Sequence, residues 1–125
     1  MHIDTDVLIW AMRGNADAMQ ALQEADTLEM SAVAYMEFVQ GCRNKVELTR
    51  FKSAIDEIGV MVIDISEPIS QRAVKLVEKF ALSHSLHMAD AIVAATAIVN
   101  KSSLLTGNIK HYAAIEGIEI VAFRP

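Results

Sequence analysis

Three acidic residues stand in sequence surroundings that offer them no positive partner. Asp4 ends one apolar segment and precedes another, and Glu37 lies in a stretch of helical periodicity without a basic residue three or four positions away. Asp90 is the only charged residue between His87 and Lys101. Burying an ionised carboxylate without a partner costs several kcal/mol, so a carboxylate that enters the protein at these positions implies a cation.

A hard divalent cation suits carboxylates of this kind. Mg²⁺ and Mn²⁺ prefer oxygen ligands, and proteins usually hold them with one or two carboxylates, water and substrate phosphate. Such an ion can offset the charge of a phosphodiester and lower the pKa of the water that attacks it. The residue types therefore indicate metal-dependent chemistry on a phosphate ester.

Other uses of the same residue types stay open. Asp4 also suits the N-cap position of the helix that follows it. His84 and His87 can share a helix face, but a zinc site needs further ligands that the sequence does not place nearby. The single cysteine, Cys42, excludes an intramolecular disulfide and a cysteine-rich zinc module, and we expect it to be a small core residue.

The elements that position these residues follow from hydrophobic periodicity. We predict strands at residues 1–3, 27–30, 60–64, 104–106 and 118–123, helices near residues 7–13, 17–25, 31–40, 46–58, 66–84 and 88–100, and a short helical turn at residues 109–115. Short apolar strands interleaved with helices predict an α/β fold with a central, mostly parallel sheet. Asp4 then lies at the carboxyl end of a central strand, where open α/β sheets bind ligands.

Glycine and proline positions mark where several of these helices begin and end. Gly41, Gly59 and Gly117 are predicted C-terminal helix stops, since glycine readily adopts the left-handed conformation found there. Pro68 suits the first turn of the helix near residues 66–84, where its missing N–H costs nothing.

Length and composition bound the class of protein. The 125 residues, 53% hydrophobic and 22% charged, predict one folded domain over residues 1–125. A formal net charge of −5 argues against a surface built to enclose nucleic acid. The apolar stretch at residues 91–99 is about half of what a bilayer span requires, and the opening residues lack a secretory signal. We therefore expect a cytoplasmic protein with no membrane segment.

Four segments in series carry a family resemblance: IDTDVLI at residues 3–9, SAVAYMEFVQG at 31–41, MADAIVAATA at 88–97 and LTGN at 105–108. In this order and spacing they resemble a PIN-domain ribonuclease of the VapC type, the toxin of a type II toxin–antitoxin pair. The resemblance spans the chain and implies a PIN-like fold with a central, mostly parallel sheet of short strands flanked by helices.

The resemblance also implies the activity, the metal and the partners. Asp4, Glu37 and Asp90 take the family's acidic positions, which hold Mg²⁺ or Mn²⁺ for hydrolysis of RNA phosphodiester bonds by an activated water. In this assignment Asp4 and Asp90 hold the ion, and Glu37 orients or deprotonates the water. A VapB-type antitoxin and a second copy of the chain are the implied protein partners.

The sequence departs from the family pattern at two positions. Asn108 stands at a site position that is often acidic, with Thr106 as its small hydroxyl neighbour. Asp6 replaces the usual Asn two residues after the first Asp. Asp6 either caps the first helix, which we favour, or points into the site and restores the charge missing at Asn108.

Basic residues near these motifs are candidate RNA contacts. Arg43 and Lys45 follow the segment that carries Glu37, and Lys110 and His111 follow Asn108. Solvated surface charge is the competing interpretation for all four.

Two other functions compete with the nuclease. A PIN-like module that binds RNA or protein without cutting is consistent with Asn108 and with the net acidity. The opening Asp4-Thr5-Asp6-Val7 also resembles haloacid-dehalogenase-type phosphatases, but their downstream Lys and further acidic pair are not clearly placed in this chain.

Overall fold

Five short strands form one sheet in this computed structural model, which describes residues 1–125. The strands are β1 (His2–Ile3), β2 (Leu28–Ser31), β3 (Val60–Ile63), β4 (Leu104–Thr106) and β5 (Ile120–Ala122). Their order in the sheet is β3-β2-β1-β4-β5, and every neighbouring pair is parallel. The predicted α/β class and the mostly parallel sheet are therefore confirmed, with β1 at the centre.

Seven helices connect and flank the strands: α1 (Thr5–Met12), α2 (Ala16–Glu24), α3 (Ala32–Gly41), α4 (Lys45–Ile58), α5 (Glu67–His84), α6 (Met88–Val99) and α7 (Ile109–Tyr112). Polar side chains at Asp4, Asn15, Ser31, Asn44 and Ser66 accept backbone N–H groups at the starts of the first five helices. Since its cap is Asp4, α1 begins two residues earlier than the predicted residue 7. None of the seven helices combines the length and the apolar character needed to cross a bilayer.

The link between β2 and α3 has no intervening loop. Ser31 is both the last residue of β2 and the N-cap of α3, where its hydroxyl accepts the Val33 N–H at 3.2 Å. The helix that carries Glu37 therefore starts directly at the carboxyl end of a strand next to β1.

Helix α6 has more buried residues than any other helix of the fold. Six of its residues are buried, and four of these are alanine. Such small side chains let α6 pack closely against α5, α3 and β2. The hydroxyl of its one buried polar residue, Thr96, donates to the Ile92 carbonyl at 2.7 Å, which satisfies the buried group. This packing fixes Asp90, which lies in the first turn of α6.

Two of the three predicted glycine stops differ from the structure. Gly59 caps α4 in the left-handed conformation with φ of 81°, as predicted. Gly41 is the last residue of α3 itself, and extended Cys42 caps that helix. Gly117 has φ of 83° but lies in the turn before β5, after α7 has ended at Tyr112.

Gly41, the last residue of α3, and Gly59, the C-cap of α4, give a matched pair of stability predictions. Gly59→Ala should lower the free energy of unfolding by about 1 kcal/mol, since a Cβ is disfavoured in the left-handed region. Gly41→Ala should raise it by about 0.5 kcal/mol, because the position is helical and nothing lies within 4 Å of the added Cβ. Denaturant titration followed by circular dichroism measures both, and the same sign for the two variants would contradict the assigned conformations.

Candidate active site

The carboxylate of Asp4 is buried at the carboxyl end of β1. It is 7% exposed and serves as the N-cap of α1, with Oδ1 accepting the Thr5 N–H at 2.9 Å. Oδ2 accepts two hydroxyl donors, Thr106 at 2.8 Å and Tyr112 at 2.9 Å. The helix-cap interpretation is therefore correct, and the same carboxylate also receives donors from β4 and α7. These three hydrogen bonds stabilise the charge of Asp4.

Thr106 connects Asp4 to the segment that follows β4. It is fully buried, and its hydroxyl oxygen accepts the Asn108 N–H at 2.9 Å while donating its own proton to Asp4. The side chain of Asn108 is exposed and forms no hydrogen bond within the protein, although Asn108 is the residue before α7. The amide of Asn108 is thus free for a ligand or solvent beside the buried cluster.

Tyr112 is the residue that sequence reasoning did not single out. It is fully buried at the end of α7 and is among the largest fully buried side chains in the core. Burial, followed by the negative charge of Asp4, raises the pKa of Tyr112 far above its usual value of 10.0, so the phenol stays protonated and acts as a donor. The only sequence signal was a phenol six residues beyond Thr106, which does not by itself predict a contact with Asp4.

The charge of Asp4 acts on both Glu37 and Asp90. Burial raises the pKa of Glu37, and the charges of Asp90 and then Asp4 raise it further. Burial likewise raises the pKa of Asp90, with a further contribution from Asp4, while His111 opposes the increase. The three carboxylates predicted from the sequence therefore repel one another across β1, α3 and α6.

His111 is the one basic side chain in contact with this group. Its Nδ1 lies 3.5 Å from Asp90 Oδ2, and the imidazole is half exposed. Arg43 instead donates through Nε to Glu47 at 2.8 Å, within the start of α4. Lys45 and Lys110 are exposed and form no ion pair. Of the four predicted RNA contacts, the structure brings only His111 against a predicted site residue.

Asp6 lies in the first turn of α1 but is not the cap of that helix. The favoured prediction was wrong in this respect, since Asp4 occupies the cap position. Asp6 Oδ1 accepts the Val7 N–H at 2.9 Å, and Oδ2 accepts the Gly107 N–H at 2.8 Å. Burial and the nearby charge of Asp4 raise the pKa of Asp6 in spite of these two hydrogen bonds. Asp6 therefore joins α1 to the segment after β4.

Gly107 makes the contact with Asp6 sterically feasible. A Cβ at residue 107 would lie 2.6 Å from Asp6 Oδ2 and 3.3 Å from the Phe123 carbonyl oxygen. Any larger residue would displace the Asp6 carboxylate or the backbone beside it.

The donor set fits a hard divalent ion, although no ready-made cage is present. No group of three His, Cys, Asp or Glu side chains converges closely enough to hold a metal, which also leaves the two-histidine zinc interpretation without further ligands. Mg²⁺ and Mn²⁺ need only one or two direct carboxylates, with water at the other positions. Asp4 and Asp90 offer oxygen donors, and His111 Nδ1 lies 3.5 Å from Asp90 Oδ2. We therefore treat the cluster as a candidate site for such an ion.

Comparison with known proteins places this geometry in a family context. The model of the PIN domain family matches residues 1–116. None of the curated proteins gives a match. A toxin–antitoxin complex from Klebsiella pneumoniae contains a chain that is 30% identical, with a TM-score of 0.80 over 97% of this chain and 95% of that chain.

Two further solved structures share the fold at lower identity. VapBC2 from Rickettsia felis, bound to a DNA fragment from its promoter, is 17% identical with a TM-score of 0.80 over 98% of both chains. FitAcB from Neisseria gonorrhoeae is 18% identical with a TM-score of 0.71 over 95% of this chain and 94% of that chain. The resemblance predicted from the four sequence segments is confirmed.

The repulsion within the carboxylate cluster predicts a pH-dependent gain of stability for Glu37→Gln. Because the folded-state pKa of Glu37 lies above its ordinary value of 4.5, the ionised form costs stability, and this cost disappears as the pH falls through that range. Glu37→Gln should therefore melt at a higher temperature than the wild type at pH 7 and at the same temperature at roughly pH 4. Glu57→Gln, on the exposed side of α4, is the control. A lower melting temperature for Glu37→Gln at pH 7 would contradict the assigned electrostatics.

Proposed function

The chain belongs to the PIN domain family, and from this premise we propose that it is a Mg²⁺- or Mn²⁺-dependent endoribonuclease, the toxin of a type II toxin–antitoxin pair. The observation that supports the proposal is that the charges of Asp4, at the carboxyl edge of the parallel sheet, and of Asp90 both act on Glu37 and raise its pKa. Open α/β sheets bind their ligands at this edge.

In the proposed reaction Asp4 and Asp90 hold the ion, and Glu37 acts on the attacking water. When bound, a divalent ion supplies charge that offsets the scissile phosphate and lowers the pKa of the water. Glu37 is the most exposed of the three carboxylates, and its raised pKa makes it a better proton acceptor than an ordinary Glu. Glu37 Oε would take the proton of the water as the water attacks phosphorus. The P–O bond to the ribose 3′-oxygen would break, and the 3′-oxygen would leave with the bonding electrons and take up a proton from solvent.

The residues after β4 are proposed to contact the substrate and position it. The exposed amide of Asn108 can donate to a phosphate oxygen or to water, without adding the charge of a carboxylate. Lys110 and His111 on α7 are proposed as contacts with the RNA phosphates, and His111 Nδ1 lies 3.5 Å from Asp90 Oδ2. Arg43 and Lys45 are proposed as outer contacts with the RNA backbone, which carry affinity and salt dependence but no sequence information.

A groove between α1, α3 and the start of α4 is the proposed binding site for a segment of the antitoxin. Its lining combines apolar and charged side chains. It has a volume of about 490 Å³, and its lining includes Ile9, Met12 and Phe38 together with Arg13, Arg43 and Arg50. A segment that presents apolar side chains and carboxylates is complementary to this surface. The solved structures that resemble this chain include complexes of VapB-type antitoxins with their toxins.

A second copy of the chain is the other proposed protein partner. We also propose that the protein acts in the cytoplasm. The edge strand β3 leaves one side unpaired, and Met61 and Val62 on it are 64% and 37% exposed. Apolar edge strands of this kind are usually covered by another chain or element. The single free cysteine, Cys42, is consistent with a reducing compartment.

A binding module without nuclease activity is the second candidate function. It is favoured by Asn108 in place of an acidic residue and by the absence of a preformed metal cage. The phosphatase alternative is less favoured, because the family match includes the segment on which it rested.

Addition of Mn²⁺ should raise the melting temperature of the protein. At a concentration about 100-fold above the dissociation constant, binding to the folded state alone stabilises by about 2.7 kcal/mol. Asp90→Asn should lose most of this shift. Asp6→Asn should keep it, measured against its own metal-free melting temperature, because the Asp6 carboxylate joins α1 to the segment after β4 and is not one of the proposed ligands. An unmoved wild-type melting temperature would argue against the metal, and loss of the shift in Asp6→Asn would make Asp6 a ligand.

RNA cleavage should depend on Mg²⁺ and on the carboxylate cluster. With total RNA as substrate, we expect Mg²⁺-dependent cuts that EDTA removes, loss of cleavage in Asp90→Asn, and a decrease of at least about 100-fold in Glu37→Gln, as for loss of a general base. Asp56→Asn, exposed on α4, should cleave at the wild-type rate.

Each other outcome of this assay has a distinct meaning. Cleavage by Asp90→Asn at the wild-type rate would overturn the assignment of the site. RNA that is bound by the wild type but stays intact with Mg²⁺ would favour the binding module.

A further inference from the structure

Asp4 Oδ2 has no capacity left for a further partner. A carboxylate oxygen accepts about two hydrogen bonds or metal contacts. Thr106 donates to Oδ2 at 2.8 Å and Tyr112 donates to it at 2.9 Å, and both donors are fully buried. The Thr106 proton is directed to Asp4, because the hydroxyl oxygen itself accepts the Asn108 N–H.

Asp4 Oδ1 is different, since it accepts one donor only. That donor is the Thr5 N–H at 2.9 Å. One acceptor position on Oδ1 therefore remains open. The hydroxyls of Thr106 and Tyr112 bind the other oxygen, Oδ2, and so fix the orientation of the carboxylate.

We propose that Tyr112, together with Thr106, restricts Asp4 to one-oxygen coordination through Oδ1 and thereby sets the preference of the site for Mg²⁺ over Ca²⁺. This inference rests on the proposed metal-dependent function. Tyr112 is a positioning residue in this role, because it acts on the ion only through Asp4.

The selectivity follows from the coordination habits of the two ions. Mg²⁺ takes six ligands at about 2.0–2.1 Å in a nearly ideal octahedron, which suits carboxylates that give one oxygen each. Ca²⁺ takes six to eight oxygens at about 2.3–2.6 Å and readily accepts both oxygens of one carboxylate. A carboxylate whose second oxygen is occupied by two hydroxyls denies Ca²⁺ this second contact but costs Mg²⁺ nothing.

Tyr112→Phe tests the proposal, because it keeps the buried ring and removes only the hydroxyl. Calorimetric titration of the metal-free protein with MgCl₂ and, separately, with CaCl₂ gives the ratio of the two dissociation constants. We expect the preference for Mg²⁺ to fall by about fivefold in Tyr112→Phe, which corresponds to one hydrogen bond of about 1 kcal/mol. Thr106→Val should shift the ratio in the same direction and provides a second variant should Tyr112→Phe fold poorly.

Tyr35→Phe is the matched control. Tyr35 of α3 packs against Phe51 of α4, with ring centroids 5.1 Å apart, and its hydroxyl does not contact Asp4. Its removal should leave the ratio unchanged. A general loosening of the site would weaken both ions together and also leave the ratio unchanged.

The outcomes separate this inference from the function on which it rests. If the wild type binds Mg²⁺ and Tyr112→Phe and Thr106→Val keep the wild-type ratio, the role of Tyr112 is overturned while the metal-dependent nuclease stands. If the wild type binds neither ion, both proposals are overturned.

Discussion

The buried carboxylate of Asp4 is the charge around which the neighbouring elements are arranged. It lies at the end of the central strand β1, and it is stabilised by one backbone N–H and two hydroxyls. Each donor comes from a different element, namely α1, β4 and α7. An uncompensated buried carboxylate would cost several kcal/mol, a large part of the stability of a single domain. The requirement to satisfy this one group therefore fixes how α1 and α7 approach the edge of the sheet.

Part of the negative charge of the chain is concentrated in the cluster of Asp4, Glu37 and Asp90. Burial and neighbouring carboxylates raise the pKa values of Glu37 and Asp90, and His111 and His87 oppose the increase at Asp90. A polyanion such as RNA would be repelled by the cluster alone. A bound divalent ion would offset most of this charge, so that in the proposed enzyme metal binding and substrate binding favour each other. The net charge of −5 is therefore compatible with a nucleic-acid substrate.

Hydrophobic periodicity was sufficient to predict the elements, because strands and helices depend on residues close in sequence. It also placed Asp4 at the carboxyl end of the central strand, and helix context identified Asp90 as a charge in need of a partner. Tyr112 and the Asp6–Gly107 hydrogen bond could not be predicted this way, since they join residues 108 and 101 positions apart. The sequence left the cap of α1 open between Asp4 and Asp6 and favoured Asp6, because both residues suit a helix N-terminus by residue type.

These long separations constrain when the cluster can form during synthesis of the chain. Asp4 is among the first residues made, yet Thr106 and Tyr112 follow it by 102 and 108 positions. The β1–β4 pairing that brings them together is equally distant, since Ile3 pairs with Leu105. A nascent chain still attached to the ribosome therefore lacks both hydroxyl donors of Asp4 until translation has passed α7. In the proposed nuclease, this order would leave the surroundings of Asp4 incomplete while the chain is still being made.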